Sequence, residues 1–257
     1  MLIRACRNKN FGDSLNVELI RLITGKKPTI VNNSFTNPNN ETIFMAIGSV
    51  IGWADKNTTV WGTGKISDTD ATMFKEQPDI HAVRGPKTRE EIIKRGFECP
   101  EVYGDPALLM PYFYRPKIDI QYEIGFIPHH IDKGLIPELR KQFPEVYFID
   151  IQSDTYQFID NVLKCKKIIT SSLHGQIVAD AYNIPNAWIK LSDKVLGNGF
   201  KYRDYYTSVG RLDKDPLIWS RNLKFIDLEI KIDNWNEAKI DLEPLWNVCP
   251  FRKEKNV

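Results

Sequence analysis

The sequence is poor in cysteine, lacks long apolar runs and carries almost no net charge, and each shortage excludes a class of protein. Four cysteines in 257 residues form no CxxC pair and no Cys/His cluster at metal-ligand spacing, so we expect neither a disulfide scaffold nor a bound metal. No apolar run reaches the roughly 20 residues that a membrane span needs. Arg4 interrupts the first apolar residues, which argues against a secretory signal. We therefore expect a cytoplasmic protein with reduced thiols, peripheral at most to the inner face of a membrane.

Charge and motif content argue against two further classes. The 35 basic and 33 acidic side chains leave a net charge of +2, so the composition does not suggest a nucleic-acid partner. There is no G-x-S-x-G elbow, and the cysteines have no recognisable activating partner, which disfavours a serine or cysteine hydrolase. A small anionic substrate held by a few local cations is compatible with this balance.

Short apolar runs alternate with amphipathic stretches, which is the pattern of parallel sheets covered by helices. We predict an α/β fold with two Rossmann-like domains, residues 1–115 and 116–230, and a helical tail, residues 231–257, that packs back across the domains to the N-terminal one. The boundary is placed at the proline-punctuated segment 111–116. The predicted strands are residues 2–3, 42–47, 58–61, 80–83, 122–127, 146–149, 167–170 and 187–189. The predicted helices are residues 15–23, 88–95, 133–143, 155–165 and 176–182.

Two predicted strands of the first half run into glycine. Gly48 follows one of these strands and Gly62 follows the next. In open α/β sheets ligands bind beyond the carboxyl ends of the strands, and glycine there lets the backbone approach a ligand closely. The alternative for each glycine is ordinary turn chemistry.

A histidine lies where a buried strand gives way to a helix, within residues 170–175. The first N–H groups of a helix lack internal partners and lie at the positive end of the helix dipole, so such a junction attracts phosphate or carboxylate. An imidazole at this place, that of His174, suggests acid or base chemistry on an anion. The alternative is that Ser171 or Ser172 caps the helix and that His174 is a packed polar residue.

Three segments that share this expected place, after a strand and before a helix, together resemble the polysaccharide pyruvyl transferase family. The matching motifs are NFGD at residues 10–13, RGPKTREEIIKRGF at 84–97 followed by VYGDPALLMP at 102–111, and ITSSLHGQIVADAYNIP at 169–185. They occur in family order between residues 8 and 189. Each motif alone is weak, whereas the joint match is specific.

The resemblance implies a GT-B-like arrangement of the two domains, with a cleft that binds phosphoenolpyruvate and a sugar acceptor. Family members transfer the carboxyvinyl carbon to two sugar hydroxyls, which gives a cyclic pyruvate ketal and releases phosphate, and phosphoenolpyruvate is a co-substrate rather than a cofactor. The family's arginine and histidine fall on Arg84 and His174, and its leucine falls on Leu173. Many relatives carry arginine where this chain has Ser172, so another basic residue such as Arg89 or Lys201 is expected to replace that cation.

The resemblance also implies the acceptor. It is a sugar of a bacterial-type exopolysaccharide or capsular repeat unit, modified while the unit is lipid-linked at the cytoplasmic face of the membrane. The sugar, the pair of bridged hydroxyls and the ketal stereochemistry depend on the shape of the cleft and cannot be read from the sequence. A homo-oligomer is compatible with the sequence.

The residue types suit this chemistry. Arg84 carries a fork-shaped charge that fits a carboxylate or a phosphate, and His174 can act as acid or base near neutral pH. Asp13 and Asp105 are candidate carboxylate partners, although Asp13 could instead cap a helix and Asp105 could organise a turn. The candidate catalytic residues are Asp13, Arg84 and His174. The candidate substrate-binding residues are Asn10, Gly12, Gly48, Gly62, Arg84, Asp105, His129, Ser171, Ser172, Leu173 and Gly175.

Two other functions stay open at this stage. One is a glycosyltransferase of the same architecture that uses a nucleotide sugar, because GT-B-like folds host both reactions. The other is an inactive homologue that binds a sugar or an anion, for which the departure at Ser172 is the hint.

Overall fold

Two parallel five-stranded sheets, one from each half of the chain, form the framework of the protein. The computed structural model describes residues 1–5, 11–212 and 215–252. The strands of the first sheet are β1 (Leu2–Arg4), β2 (Thr29–Val31), β3 (Ile43–Met45), β4 (Thr58–Trp61) and β5 (Asp79–Ala82). Those of the second sheet are β6 (Tyr122–Ile127), β7 (Tyr147–Phe148), β8 (Cys165–Thr170), β9 (Asn186–Lys190) and β10 (Leu217–Ile218). The strand orders are β2-β1-β3-β4-β5 and β10-β9-β8-β6-β7.

Helices connect and cover the strands. Within the described ranges they are α1 (Phe11–Thr24), α2 (Pro86–Ile93), α3 (Met110–Phe113), α4 (Ile136–Gln142), α5 (Thr155–Leu163), α6 (Leu173–Ala181), α7 (Phe200–Ser208), α8 (Phe225–Asp233) and α9 (Glu243–Asn247). Short 3-10 helices lie at Ile51–Trp53, Pro106–Leu109 and His130–Leu135. The predicted α/β class with two parallel sheets is confirmed. The GT-B-like arrangement of the two halves stays a prediction.

The positions of these elements follow from local chemistry. All four residues of β4 and the last three of β8 are buried, as expected for strands covered on both faces. Pro86 is the first residue of α2, where its missing N–H would have no partner within the helix in any case. Asp154 caps α5 because its carboxylate accepts a hydrogen bond from the Tyr156 N–H at 3.0 Å.

Five of the described strands and α-helices were not predicted from the sequence: β2, β10, α3, α7 and α8. The helix α3 overlaps the proline-punctuated segment 111–116, which was expected to be a connection. The edge strands β2 and β10 have only three and two residues, too few to show an alternating pattern. In α7 the polar Asp204 is fully buried among aromatic side chains, so the helix has no simple apolar stripe. We have no comparable account of α8. The helix predicted at residues 133–143 begins as a 3-10 turn and becomes α-helical at Ile136.

The two halves share one hydrophobic cluster, which contains buried residues such as Trp61 from the first sheet and Ile168 from the second. The C-terminal segment packs against the first sheet, where the Trp61 Nε1–H donates a hydrogen bond to the Leu245 carbonyl at 2.8 Å. The Phe251 ring lies 4.8 Å from the ring of Phe44. Near the start of α1 the Phe11 N–H donates to the Ile151 carbonyl at 2.8 Å, which joins the halves a second time.

A buried polar network fixes α6 against α7. The carboxylate of Asp180 on α6 accepts hydrogen bonds from the Tyr205 hydroxyl of α7 at 2.9 Å and from the Arg211 guanidinium at 3.2 Å. Arg211 also donates to the Asn186 side chain at 2.7 Å. Because these groups are almost fully buried, their hydrogen bonds fix the relative position of the two helices.

No helix in the described part of the chain is long and apolar enough to cross a membrane. The three described cysteines, Cys99, Cys165 and Cys249, are buried and unpaired, and burial raises the pKa of each thiol.

Candidate functional site

A pocket of about 460 Å³ lies where the carboxyl ends of the two sheets face each other. The loops after β3 and β4 line it on one side, through residues such as Ser49 and Lys65. The loops after β6 and β8 line it on the other side, through His129 and Ser172. This is the place at which open α/β sheets bind ligands.

The structure brings about half of the sequence-predicted site residues into this pocket. Those that line it are Asp13, Gly48, His129, Ser172, Leu173 and His174. Those that lie outside its lining are Gly12, Gly62, Arg84, Asp105, Ser171 and Gly175. Asn10 lies outside the described residues.

His174 is in the first turn of α6 and faces the pocket. Its Nε2 atom is buried and has no hydrogen-bond partner among the described residues. Burial, together with the positive charges of Lys201 and Arg84, lowers the pKa of the imidazole to about 3. At neutral pH the ring is therefore uncharged.

Gly12 and Gly175 pack closely around this histidine. A Cβ atom at Gly12 would overlap the imidazole of His174, so only glycine leaves room for the ring in its observed position. A Cβ atom at Gly175 would lie 2.5 Å from the Thr170 Oγ1 atom, which explains why α6 can start so close to the end of β8. Both glycines therefore shape the site without lining the pocket.

The first turn of α6 is not capped by the Ser172 side chain, so the capping alternative is wrong for this residue. The Ser172 N–H instead donates to the Thr170 Oγ1 atom at 2.9 Å. The Ser171 hydroxyl accepts a hydrogen bond from the His129 N–H at 2.8 Å, and the Ser171 carbonyl accepts one from the Tyr202 hydroxyl at 2.7 Å. Ser171 thus ties β8 to the loop after β6 and to α7.

The hydrogen bonding of His129 indicates its tautomer. Its Nδ1 atom accepts a bond from the Ile131 N–H at 3.3 Å, so the proton of the neutral ring is on Nε2. Burial and the nearby Lys201 charge lower the pKa of His129 to about 3, which keeps the ring neutral. His129 therefore offers the pocket an N–H donor without a charge.

Arg84 lies behind the pocket wall, and its guanidinium is occupied by protein groups. It forms a fully buried ion pair with Asp204 of α7 at 2.9 Å. It also donates to the Ser49 hydroxyl at 2.6 Å and to the Lys65 carbonyl at 2.7 Å. Arg84 thus connects both loops of the N-terminal wall to α7, and its direct contact with an anion stays a prediction.

Asp105 is fully buried and organises its own turn, which is the structural alternative that the sequence left open for it. Its Oδ1 atom accepts a hydrogen bond from the Ala107 N–H at 3.0 Å, and its Oδ2 atom has no partner among the described residues. Burial raises its pKa to about 7. Gly62, at φ +97°, packs against Pro106 in the same region, so neither residue reaches the pocket.

Three residues that position the site were not identified from the sequence. Asn16 is buried in α1, and its side-chain amide makes two 2.8 Å hydrogen bonds with the backbone of Ile47, which fix the start of the Gly48 loop. Lys65 is buried, donates from its ammonium to the Asp70 carbonyl and lines the pocket. Asp204 is the partner of Arg84. A polar residue inside an apolar stripe, such as Asn16 between Leu15 and Leu19, is the signal that could have pointed to such positions.

The pocket lining is more basic than acidic. Its described residues include Lys65, Lys194 and Lys201 but only two carboxylates, Asp13 and Asp70. The positive end of α6 adds to this field. Among the described residues no group of three or more His, Cys, Asp or Glu side chains could hold a metal ion. The arrangement suits a small multivalent anion next to a neutral imidazole.

The family model described as polysaccharide pyruvyl transferase matches residues 10–193 of the chain. The chain belongs to this family. The resemblance inferred from the sequence motifs is thereby confirmed, and membership supports a pyruvyl transferase role in polysaccharide biosynthesis with a glycan as acceptor.

Two proteins are similar to this chain over more residues than the quoted motifs cover. An uncharacterized protein of Acanthamoeba polyphaga mimivirus is 30% identical over 211 residues, which cover 79% of this chain and 72% of that protein. The succinoglycan biosynthesis protein ExoV of Rhizobium meliloti is 28% identical over 213 residues, which cover 78% of this chain and 62% of that protein.

Proposed function

We propose that this protein transfers the pyruvyl group of phosphoenolpyruvate to two hydroxyls of a sugar in a glycan, forming a cyclic ketal and releasing phosphate. The observation that carries the proposal is the neutral imidazole of His174, with its unpartnered Nε2 atom, in a pocket rich in lysine. Phosphoenolpyruvate carries a carboxylate and a phosphate, so it matches the charge of this pocket. Family membership supplies the pyruvyl group as the transferred unit.

The reaction requires a defined proton balance. The first sugar hydroxyl bonds to C2 of phosphoenolpyruvate, and the CH₂ carbon takes up a proton to become a methyl group. The second hydroxyl then bonds to C2 while the C2–O bond to phosphate breaks, and phosphate leaves with the electron pair. Two hydroxyl protons are released; one balances the new methyl hydrogen and the other leaves with phosphate.

His174 has the properties of the group that moves the first proton. The ring is uncharged at neutral pH, because its pKa is lowered to about 3, and can take the proton of the attacking hydroxyl. The negative charges of the bound donor would offset those of Lys201 and Arg84, which raises the pKa of the imidazole. The ring can then hold the proton and deliver it to the CH₂ carbon.

Some of the other predicted residues are proposed to touch the substrates, and Arg84 is proposed to hold the pocket wall in place. We assign the Nε2–H of His129 and the Leu173 end of α6 to the donor anion, and Asp13, across the pocket, to an acceptor hydroxyl. Arg84 is a positioning residue in this proposal, since it holds Ser49 and the Lys65 carbonyl.

The test is incubation with phosphoenolpyruvate and a panel of glycan acceptors, free and lipid-linked, with phosphate release and acceptor mass as readouts. Succinoglycan repeat oligosaccharides are the first acceptors to try, because a succinoglycan biosynthesis protein is similar over 78% of the chain. We expect phosphate and the ketal in equal amounts, and loss of both in His174→Ala. Turnover with a nucleotide sugar instead of phosphoenolpyruvate would reject the proposal in favour of a glycosyltransferase.

A further inference from the structure

Lys201 is a cation of the pocket that lies outside the family motifs quoted from the sequence. It is the second residue of α7, and its ammonium lies 5.5 Å from the ring centroid of the neighbouring Tyr202. Its side chain lines the pocket together with His174 and His129. The positive charge of Lys201 is therefore placed beside the imidazoles of His129 and His174, near the start of α6.

The charge of Lys201 is not balanced by a carboxylate in the described part of the chain. Burial of the Lys201 side chain and the positive charge of Arg84 both disfavour its ammonium form. The imidazoles of His129, His130 and His174 are also affected by the Lys201 charge, which lowers the pKa of each. A charge held among neutral rings and a second cation is stabilised when an anion joins it.

Two other cations of this region already have protein partners, and a third, Lys194 of the pocket lining, is exposed. Arg84 is paired with Asp204, and Lys65 donates to the Asp70 carbonyl. Arg89 is paired with Glu101 at 3.1 Å and donates to the Cys99 carbonyl at 3.0 Å, away from the pocket lining. Of the two replacements considered for the cation missing at Ser172, only Lys201 lines the pocket.

We infer that Lys201 binds an anionic group of the donor directly, its phosphate or its carboxylate, and is the main cation of the phosphoenolpyruvate site. This inference rests on the proposed function for the identity of the donor, but its anion chemistry is that of any phosphate or carboxylate. Lys201 reaches the site from α7, which Asp204 fixes to Arg84, and the site therefore draws its cation and its imidazole from different elements of the C-terminal half.

The test is calorimetric titration of the full-length protein with phosphoenolpyruvate and, separately, with inorganic phosphate. We expect Lys201→Met to lower the affinity for both anions at least tenfold, and Lys201→Arg to retain most of it. Addition of Ser172→Arg to Lys201→Met should restore binding, because it returns a cation to the same pocket. Lys166→Met, which removes an exposed lysine paired with Glu123, is the matched control and should bind as the wild type does.

The outcomes separate the inference from the proposed function. If the wild type binds phosphoenolpyruvate and Lys201→Met binds it equally well, the inference is wrong and the proposed function stands. If the wild type binds phosphate but not phosphoenolpyruvate, and Lys201→Met loses phosphate, the anion site is supported and the proposed donor is rejected. Binding of neither anion by the wild type overturns both. Lys201→Gln replaces Lys201→Met if the latter does not fold.

Discussion

At the residue scale, the environment of His174 explains why its imidazole is neutral before a donor binds. Burial and two neighbouring cations hold its pKa at about 3, and the unpartnered Nε2 atom leaves one ring nitrogen for a substrate. Gly12 packs so closely against the ring that a Cβ atom there would overlap it. The sequence placed this histidine at a helix start, but its neighbours across the pocket come from distant segments.

Gly12→Ala tests the position of the imidazole. The new methyl group would overlap the ring and displace it, while alanine is favourable for the helix itself. We expect kcat to fall by about 10²-fold or more, which is the range of a misplaced acid–base group. Turnover and thermal unfolding measured together check this. Ser14→Ala, at an exposed position in the same turn, is the control, and unchanged turnover in Gly12→Ala would contradict the assignment.

The pH dependence of donor binding tests the charge of Lys201. Burial and Arg84 lower the pKa of the ammonium to about 8, so it loses its proton as the pH rises through that value. His129 and His174, which face it, have pKa values near 3, and His130 has a lowered pKa, so these rings stay neutral above pH 7. We expect affinity for phosphoenolpyruvate to decline by up to about tenfold per pH unit above pH 8.

Lys201→Arg provides the comparison, because a guanidinium keeps its charge over the whole range. Its affinity should stay nearly level between pH 7 and about pH 10. A wild-type profile that is equally level, or an equal decline in both proteins, would show that Lys201 does not carry the titrating charge.

At the scale of elements, the site depends on how α7 is attached to α2 and the N-terminal loops. The Asp204 carboxylate accepts hydrogen bonds from Arg84 at 3.0 Å and from the Thr88 hydroxyl at 2.7 Å. A Cβ atom at Gly85 would overlap the Asp204 backbone, so the two helices meet with no space between them. Loss of this contact would move Lys201 as well as Arg84.

Asp204→Asn leaves the Arg84 charge buried without its carboxylate. We expect it to lower the free energy of unfolding by about 3–5 kcal/mol, the usual effect of removing one partner of a buried ion pair. Denaturant unfolding measures the change. Asp193→Asn, which affects an exposed pair with Lys190, should change stability by about 1 kcal/mol or less. An equally small effect of Asp204→Asn would mean that the buried pair does not hold the helices together.

The elements that carry the site differ in how well the sequence predicts them. The strands β4, β6 and β8 contain short apolar pairs, Val60-Trp61, Phe126-Ile127 and Ile168-Ile169, and the junctions at Arg84 and His174 have proline and glycine signals, so both could be predicted. The helix α7 could not, because its buried residues include Asp204 and several tyrosines, whose partners lie far away in the sequence. For the same reason the sequence could not predict that Arg84 pairs with Asp204. It therefore could not predict that Arg84 lies behind the pocket wall.

At the scale of the whole molecule, one hydrophobic cluster links the two sheets with the C-terminal segment. Leu245 of α9 is fully buried, and its carbonyl accepts the hydrogen bond of the Trp61 indole. The His81 ring is 2.8 Å from the Val248 carbonyl in the same contact. The segment therefore supports the first sheet, whose loops form one wall of the pocket.

Leu245→Ala tests this support. Loss of the buried side chain should lower the free energy of unfolding by about 2–5 kcal/mol, through lost apolar contact and the cavity left behind. Because the cluster is shared, we expect one unfolding transition that shifts as a whole. Fluorescence and circular dichroism should report the same transition. Glu243→Ala, at an exposed position in the same helix, is the control. A separate early transition for one half would instead indicate that the halves unfold independently.

The reaction itself is tested most directly by the mass of the acceptor after incubation with phosphoenolpyruvate in heavy water. Pyruvyl transfer with protonation of the CH₂ carbon should add one pyruvate ketal that carries one solvent deuterium in its methyl group, and His174→Ala should form almost none. An acceptor that gains a phosphoryl group, a carboxyvinyl group without deuterium, or a ketal formed equally well by His174→Ala would contradict the account.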